Sequence, residues 1–203
     1  LRRSATDAAV LPLVLERGPE LDERVKAVEH FEKTGELNLN ANIQFGEGGA
    51  GTFSDGKLTT RVGDPLCAFV TDAFLQHGAP ADIAWRQKPH VGTDLLRGII
   101  RSIRQEIIAL GGEVRFNTAL TGLKIENGAL ASVETTAGDF ACEQLILAVG
   151  HSARDTFAML HRQGMPLECK PFSVGFRAEH LQTEIDKSLY HAAAGHPVLP
   201  VGE

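Results

Sequence analysis

Glu16, a cluster of glycines between residues 46 and 56, and the titratable side chains Asp55, His90 and His151 are the positions where this sequence could do chemistry. Glu16 closes the apolar run Leu11-Pro12-Leu13-Val14-Leu15. A carboxylate at the C-terminal tip of the second strand in a dinucleotide fold can accept hydrogen bonds from ribose hydroxyls. Taken alone, Glu16 reads more readily as a surface charge at a strand end. Gly46, Gly48, Gly49, Gly51 and Gly56 fall within one short segment that ends in Lys57-Leu58. Glycines permit close backbone approach and unusual φ/ψ, so this segment could lay N–H and C=O groups along a planar ligand. Thr52, Ser54 and Lys57 would supply polar contacts there, and a structural glycine-rich turn is the competing account. A phosphate-gripping G-x-x-x-x-G-K-[ST] loop is disfavoured because Lys57 is followed by Leu58.

The titratable candidates are weaker. His90 lies between Pro89 and a glycine-containing helix entry, where a structural or solvent-facing role competes with a site-facing one. His151 follows Gly150 and precedes Asp155 by four positions, a spacing that permits a contact along a helix. Glu47 with Asp55 invites comparison with paired-carboxylate hydrolysis, but sequence separation does not establish the facing geometry that chemistry requires. Ser54 and Ser152 have no G-x-S-x-G setting. Cys67, Cys142 and Cys169 are widely spaced, with no C-x-x-C pair, so buried thiols are expected and no metal site is.

The elements that must carry these residues follow from periodicity. Leu11–Glu16 predicts a short buried strand ended by Gly18-Pro19. A charged surface helix is expected over residues 21–35, then a long loop over 36–65, a length typical of loops that cover a functional site. Leu96, Ile99, Ile100, Ile103 and Ile107 form the apolar stripe of a helix over 94–110, capped by Thr93 and released by Gly111-Gly112 into a strand with Val114 and Phe116. Asn127-Gly128 predicts a type I′ hairpin between strands containing Leu123 and Val133, and Ala137-Gly138-Asp139 predicts a further turn. Leu145-Ile146-Leu147-Ala148-Val149 reads as an interior parallel strand ending at Gly150. A helix capped by Ser152 follows, burying Ala153, Phe157 and Leu160, and Phe172–Arg177 reads as another strand. This order predicts a three-layer α/β, Rossmann-like domain with a β-hairpin or β-meander insertion. Residues 1–170 are assigned to it, and residues 171–203 to the start of a second domain.

Composition narrows the partners. The 203 residues carry 20 Lys plus Arg against 26 Asp plus Glu, a net charge of -6 that argues against a nucleic-acid surface. No apolar run reaches the ~18 residues of a membrane span, and no signal-peptide cleavage site is recognisable, so a cytoplasmic protein is expected. The sequence has no initiator Met and ends at Val201-Gly202-Glu203, which gives the expectation that both ends are incomplete.

Five stretches in order, Val14–Gly18, Phe45–Leu58, Lys88–Asp94, Gly111–Thr118 and Ala148–Asp155, resemble the uncharacterised FAD-dependent dehydrogenases of the broad glutathione-reductase-like flavoprotein superfamily. The resemblance spans residues from about 11 to 190. It implies that Glu16, with Arg17 beside it, holds the FAD ribose. It also implies that Gly48, Gly49, Gly51, Thr52, Ser54, Asp55, Gly56 and Lys57 surround the flavin ring, Leu120 lies beside the adenine, and Gly150 passes close to FAD. One departure is severe: the pyrophosphate-binding G-x-G-x-x-G, normally about 20 residues before the acidic residue, is absent from the 15 residues that precede Glu16.

The resemblance implies an FAD-dependent oxidoreductase or dehydrogenase that moves a hydride or two electrons through bound flavin, to or from a small-molecule substrate. It admits NAD(P)H as the electron donor, for which the sequence carries no separate signature. His90, Asp55 and His151 are the candidate catalytic groups. Two other outcomes stay open here: a non-catalytic FAD-binding module, and a truncated fragment that does not bind FAD.

Overall fold

The computed structural model describes residues 11–53, 56–58, 60, 62–85, 91–176 and 178–202. The chain divides into two units, Leu1–Pro166 and Leu167–Glu203. The first unit holds the elements that carry the candidate site.

Strand β1 (Leu13–Leu15) pairs in parallel with β2 (Glu113–Arg115), Val14 opposite Val114. Between them in sequence run α1 (Leu21–Thr34), a 3-10 turn at Ala50–Phe53, α2 (Leu66–Gln76) and α3 (Thr93–Ala109). Helix α1 stops where Gly35, at φ 77°, donates its N–H to the Phe31 carbonyl, a left-handed terminus that glycine adopts without a Cβ penalty. The amphipathic stripe expected for α3 is real: Leu96 and Ile99 are buried with Ile83 and Val91, and Phe74, Leu75, Ile100 and Ile103 pack against that cluster. The core therefore forms where α2, α3 and the turn at Ala81–Ala84 meet. Helix α2 had no counterpart in the sequence reading, although Pro65 before an apolar run is a regular helix entry.

The hairpin forms as expected. Strands β3 (Leu120–Glu126) and β4 (Ala129–Thr135) are antiparallel around Asn127 and Gly128, both at positive φ, and β5 (Gly138–Ala141) extends them to a three-stranded meander. Helix α4 (Arg154–Arg162) buries Thr156, Met159 and Leu160. In the second unit, α5 (Gln182–Tyr190) is tied to Gly202 by Asp186, whose carboxylate accepts the Gly202 N–H at 2.7 Å.

Several expectations are corrected. Leu145–Val149 is not a strand: it pairs with nothing among the described residues, and Ile146 is 90% exposed. A parallel strand needs neighbours on its edges and cover on its faces, and among the described residues the parallel sheet contains β1 and β2 alone. For the same reason Leu13 and Val14 are exposed where a buried strand was expected, and the third layer is not formed among the described residues. Phe172–Phe176 likewise forms no strand. Thr93 is the first residue of α3 with Gly92 flanking it, and Ala153, not Ser152, flanks α4. Phe157 is exposed, and α4 buries Met159 in its place. The thiols are not buried either: Cys67 and Cys142 are half-buried and Cys169 is exposed.

Candidate functional site

Pairing between the β1 and β2 segments continues beyond the strands. Glu16 donates its N–H to Arg115 O and accepts from Thr118 N, both at 2.9 Å, and Asn117 N reaches Gly18 O at 2.9 Å. This ladder fixes Glu16 at the C-terminal tip of β1. One carboxylate oxygen of Glu16 accepts the Gly18 N–H at 2.8 Å, which holds the side chain back against its own turn, and the other oxygen has no hydrogen bond among the described residues. Gly18 is required sterically, because a Cβ there would sit 2.4 Å from the Asn40 carbonyl oxygen and 2.6 Å from Gly46 Cα.

Arg17 turns towards α4 and pairs with Asp155 at 2.5 Å. Burial opposes ionisation of Asp155, but the Arg17 hydrogen bond and the Thr156 amide outweigh it and hold the carboxyl below its ordinary range. These two residues line a cavity of about 350 Å3 together with Asn40, Leu120, Thr121 and Arg162. Its size falls within the ~300–1,000 Å3 typical of small-molecule sites. Leu120, expected beside an adenine, is in the wall. Glu16 is not itself in the wall, but its neighbour Arg17 is.

The glycine-rich loop is held from within by a residue that the sequence reading passed over. Arg24 is 0% exposed. Its Nε donates to Asn42 O at 2.9 Å, Nη2 to Ile43 O at 2.9 Å, and Nη1 to Gly46 O at 3.2 Å and Glu47 O at 2.6 Å. Burial pulls its pKa down to about 10, with the Glu16 charge opposing that fall, so it stays protonated at neutral pH. Buried charge is tolerated where its donors are satisfied, and four main-chain carbonyls do that here. The guanidiniums of Arg24 and Arg97 also lie 4.7 and 4.9 Å from the Phe53 ring centroid, within cation–π range. Glu47 completes the hold: it accepts Leu21 N at 2.8 Å and lies 2.9 Å from Arg104 Nε. That engagement removes Glu47 from any hydrolytic pair. Leu21, Arg24 and Val28 share one helical stripe and all are buried, but an arginine in a helix this charged carried no signal of that burial in the sequence.

The glycines of the loop serve different ends. Gly46 makes room for Arg24, whose Cδ would lie 2.5 Å from a Cβ, and Gly48 makes room for the Thr52 hydroxyl at 2.2 Å. Gly56 passes close to Gly92, and its carbonyl accepts Val91 N at 3.1 Å. Gly49 and Gly51 face open space, and these two remain compatible with a ligand at the loop. Thr52 Oγ1 is buried without a hydrogen-bond partner among the described residues. Lys57 is exposed beside the buried Gly56.

Three candidates, Ser54, Asp55 and His90, lie outside the described residues. His151 is not brought to Asp155: it precedes α4, its ring lies 3.3 Å from Ser152 Oγ, and Asp155 is taken by Arg17. Gly150 has φ 74° and nothing within 4 Å of a Cβ built on it, so its glycine is required by backbone conformation rather than by a neighbour. No helix among the described residues is long and apolar enough to cross a membrane.

The family model described as FAD dependent oxidoreductase (DAO) matches residues 97–202. An uncharacterized protein of Clostridium beijerinckii (strain ATCC 51743 / NCIMB 8052) is 50% identical over 188 residues, covering 93% of this chain. The chain spans 35% of the length of that relative.

Proposed function

Because the chain belongs to the FAD-dependent oxidoreductase family, we propose that it builds the adenosine-side wall and part of the flavin-side wall of a flavin-dependent dehydrogenase or reductase. The observation that carries this reading is the cavity lined by Arg17, Leu120 and Asp155, opening next to a carboxylate at a parallel strand tip. The residues fit the cofactor on two counts. The cavity has the volume and mixed polarity for one end of an elongated nucleotide, and the Thr52 hydroxyl, without a partner among the described residues, and the open space at Gly49 suit a planar group at the loop.

In this reading the free oxygen of Glu16 accepts a ribose hydroxyl, and Gly18 keeps that oxygen at the strand tip through the other. Leu120 gives the adenine an apolar wall. Arg162 supplies positive charge where an anionic cofactor enters, Arg17 being paired with Asp155, and Arg24 fixes the loop that meets the ring. Bound FAD supplies the electron chemistry, accepting or releasing two electrons, while the protein orients the donor and excludes water. The substrate is a small-molecule redox partner, and NAD(P)H is one donor to be tried.

The test is the absorption spectrum of the purified full-length protein, followed anaerobically as candidate donors are added. Bound flavin that bleaches with a donor supports the dehydrogenase. Flavin that is bound but never reduced favours a regulatory module, and protein that takes up no FAD on reconstitution sinks the reading altogether.

A further inference from the structure

Resting on the FAD reading above, we propose that Arg24 is the positioning residue that aims the Gly48 main-chain N–H at the bound flavin. In a planar trans peptide the carbonyl and the following N–H point in opposite directions. Arg24 Nη1 holds the Glu47 carbonyl at 2.6 Å, so the N–H of that same peptide, which belongs to Gly48, points away from the guanidinium. The preceding peptide is held twice, its Gly46 carbonyl on Arg24 and its Glu47 N–H on Pro19 O at 3.3 Å. The orientation of the next unit is therefore fixed from its N-terminal side. From the other side, Gly49 N is tied to Gly46 O at 3.0 Å. Gly48 itself is exposed and at φ 83°, and a side chain there would collide with Thr52. The result is an outward amide donor with a rigid mount in the part of the chain where a ring-side contact is expected.

A buried arginine whose hydrogen bonds among the described residues all go to main-chain carbonyls is a costly way to stiffen a loop, because its charge must be desolvated. Lysine could not replace it: a single ammonium cannot span the carbonyls of residues 42, 43, 46 and 47 that the planar fork reaches. What the fork adds is direction. An amide aimed at a cofactor atom that gains electron density on reduction stabilises the reduced form more than the oxidised form, so loss of that aim should appear in the flavin itself and not only in protein stability.

The experiment compares R24K with V28A in the full-length protein. Val28 lies one turn further along α1 and is equally buried, so V28A reports plain destabilisation. The expected result is that R24K raises the FAD dissociation constant at least ten-fold, shifts the flavin absorption bands and lowers the midpoint potential, while V28A melts earlier with FAD affinity and potential unchanged. If R24K melts earlier but leaves affinity, spectrum and potential as in V28A, Arg24 is structural only and the proposal is overturned. A second measurement needs no variant: Gly48 amide hydrogen exchange in the wild-type protein should slow on FAD addition, and unchanged exchange with FAD bound overturns the proposal even where R24K does not fold. Failure of the wild-type protein to bind FAD overturns the cofactor reading, and this proposal with it, and is seen before any variant is made.

Discussion

Glu47 accepts the Leu21 N–H at 2.8 Å, so the first turn of α1 is capped by a carboxylate that comes from the glycine-rich loop and not from its own flanking residue. Helix and loop are thereby fastened at two points, through Glu47 to the helix start and through Arg24 to the loop carbonyls. A carboxylate is favoured at a helix N-terminus, but this one is buried, and burial raises its pKa despite the Leu21 amide and Arg104.

That raised value has a sign that can be measured. The folded protein binds the Glu47 proton more tightly than the unfolded chain, whose glutamates titrate near pH ~4.3. Glu47 therefore contributes most to stability below that pH, and the contribution is lost as pH rises through the higher folded value. Glu47→Gln keeps an acceptor for Leu21 and cannot titrate. Urea unfolding from pH 4 to 7 should show wild-type stability falling relative to E47Q as pH rises. A difference that stays flat or rises would refute the burial argument.

Glu16→Gln should separate cofactor retention from folding. The amide oxygen can still accept the Gly18 N–H, so the β1 tip keeps its conformation. The charge that would strengthen a bond to a ribose hydroxyl is gone, and such bonds contribute roughly 1.5–3 kcal/mol, or about ten- to a hundred-fold in affinity. Equilibrium dialysis with FAD should show that loss with a melting temperature within a few degrees of wild type. Equal affinity in the two proteins would remove Glu16 from the ribose.

The two kinds of glycine in the loop predict opposite phenotypes. Gly46→Ala places a methyl group against Arg24 in a backbone conformation of φ 113°, so it should destabilise the protein by about 1–3 kcal/mol whether or not FAD is present. Gly49→Val meets no protein atom, yet it puts a branched side chain on the open face of the loop. It should weaken FAD binding beyond any cost of its φ of 63°. Calorimetry of both apoproteins with FAD titrations decides this, and wild-type FAD affinity in G49V would show that the open face is not a cofactor face.

The parts of this fold that were legible in the sequence are those fixed by local rules. The Asn127-Gly128 turn specifies its own positive φ values and hence the hairpin, and the stripe on α3 matches the helical period. Leu145–Val149 was misread because an apolar run of that length specifies a strand only if another strand is there to pair with it, and pairing is not a local property. At the site, the position of Glu16 was legible from the strand it ends. Arg24 was not, since a charged residue in a charged helix reads as solvated, and only its tertiary partners show that the loop wraps it. Sequence spacing permitted a contact between His151 and Asp155, whereas Arg17 reaches Asp155 from 138 residues away.

That long-range pair supports one more prediction. The net effect of burial, Arg17 and the Thr156 amide is to hold the Asp155 carboxyl below the usual aspartate range. The unfolded chain therefore binds this proton more tightly than the folded one. The contribution of Asp155 is fully present above the unfolded value near pH ~3.9 and is lost as pH falls through the lower folded value. Asp155 is 61% exposed, so solvent screening limits the pair to less than about 1 kcal/mol. Asp155→Asn should accordingly melt slightly earlier than wild type at pH 7 in low salt, and the difference should shrink both in ~1 M salt and at pH 3. A gap that persists under both conditions would mean that Asp155 holds α4 to the β1 tip through packing rather than charge.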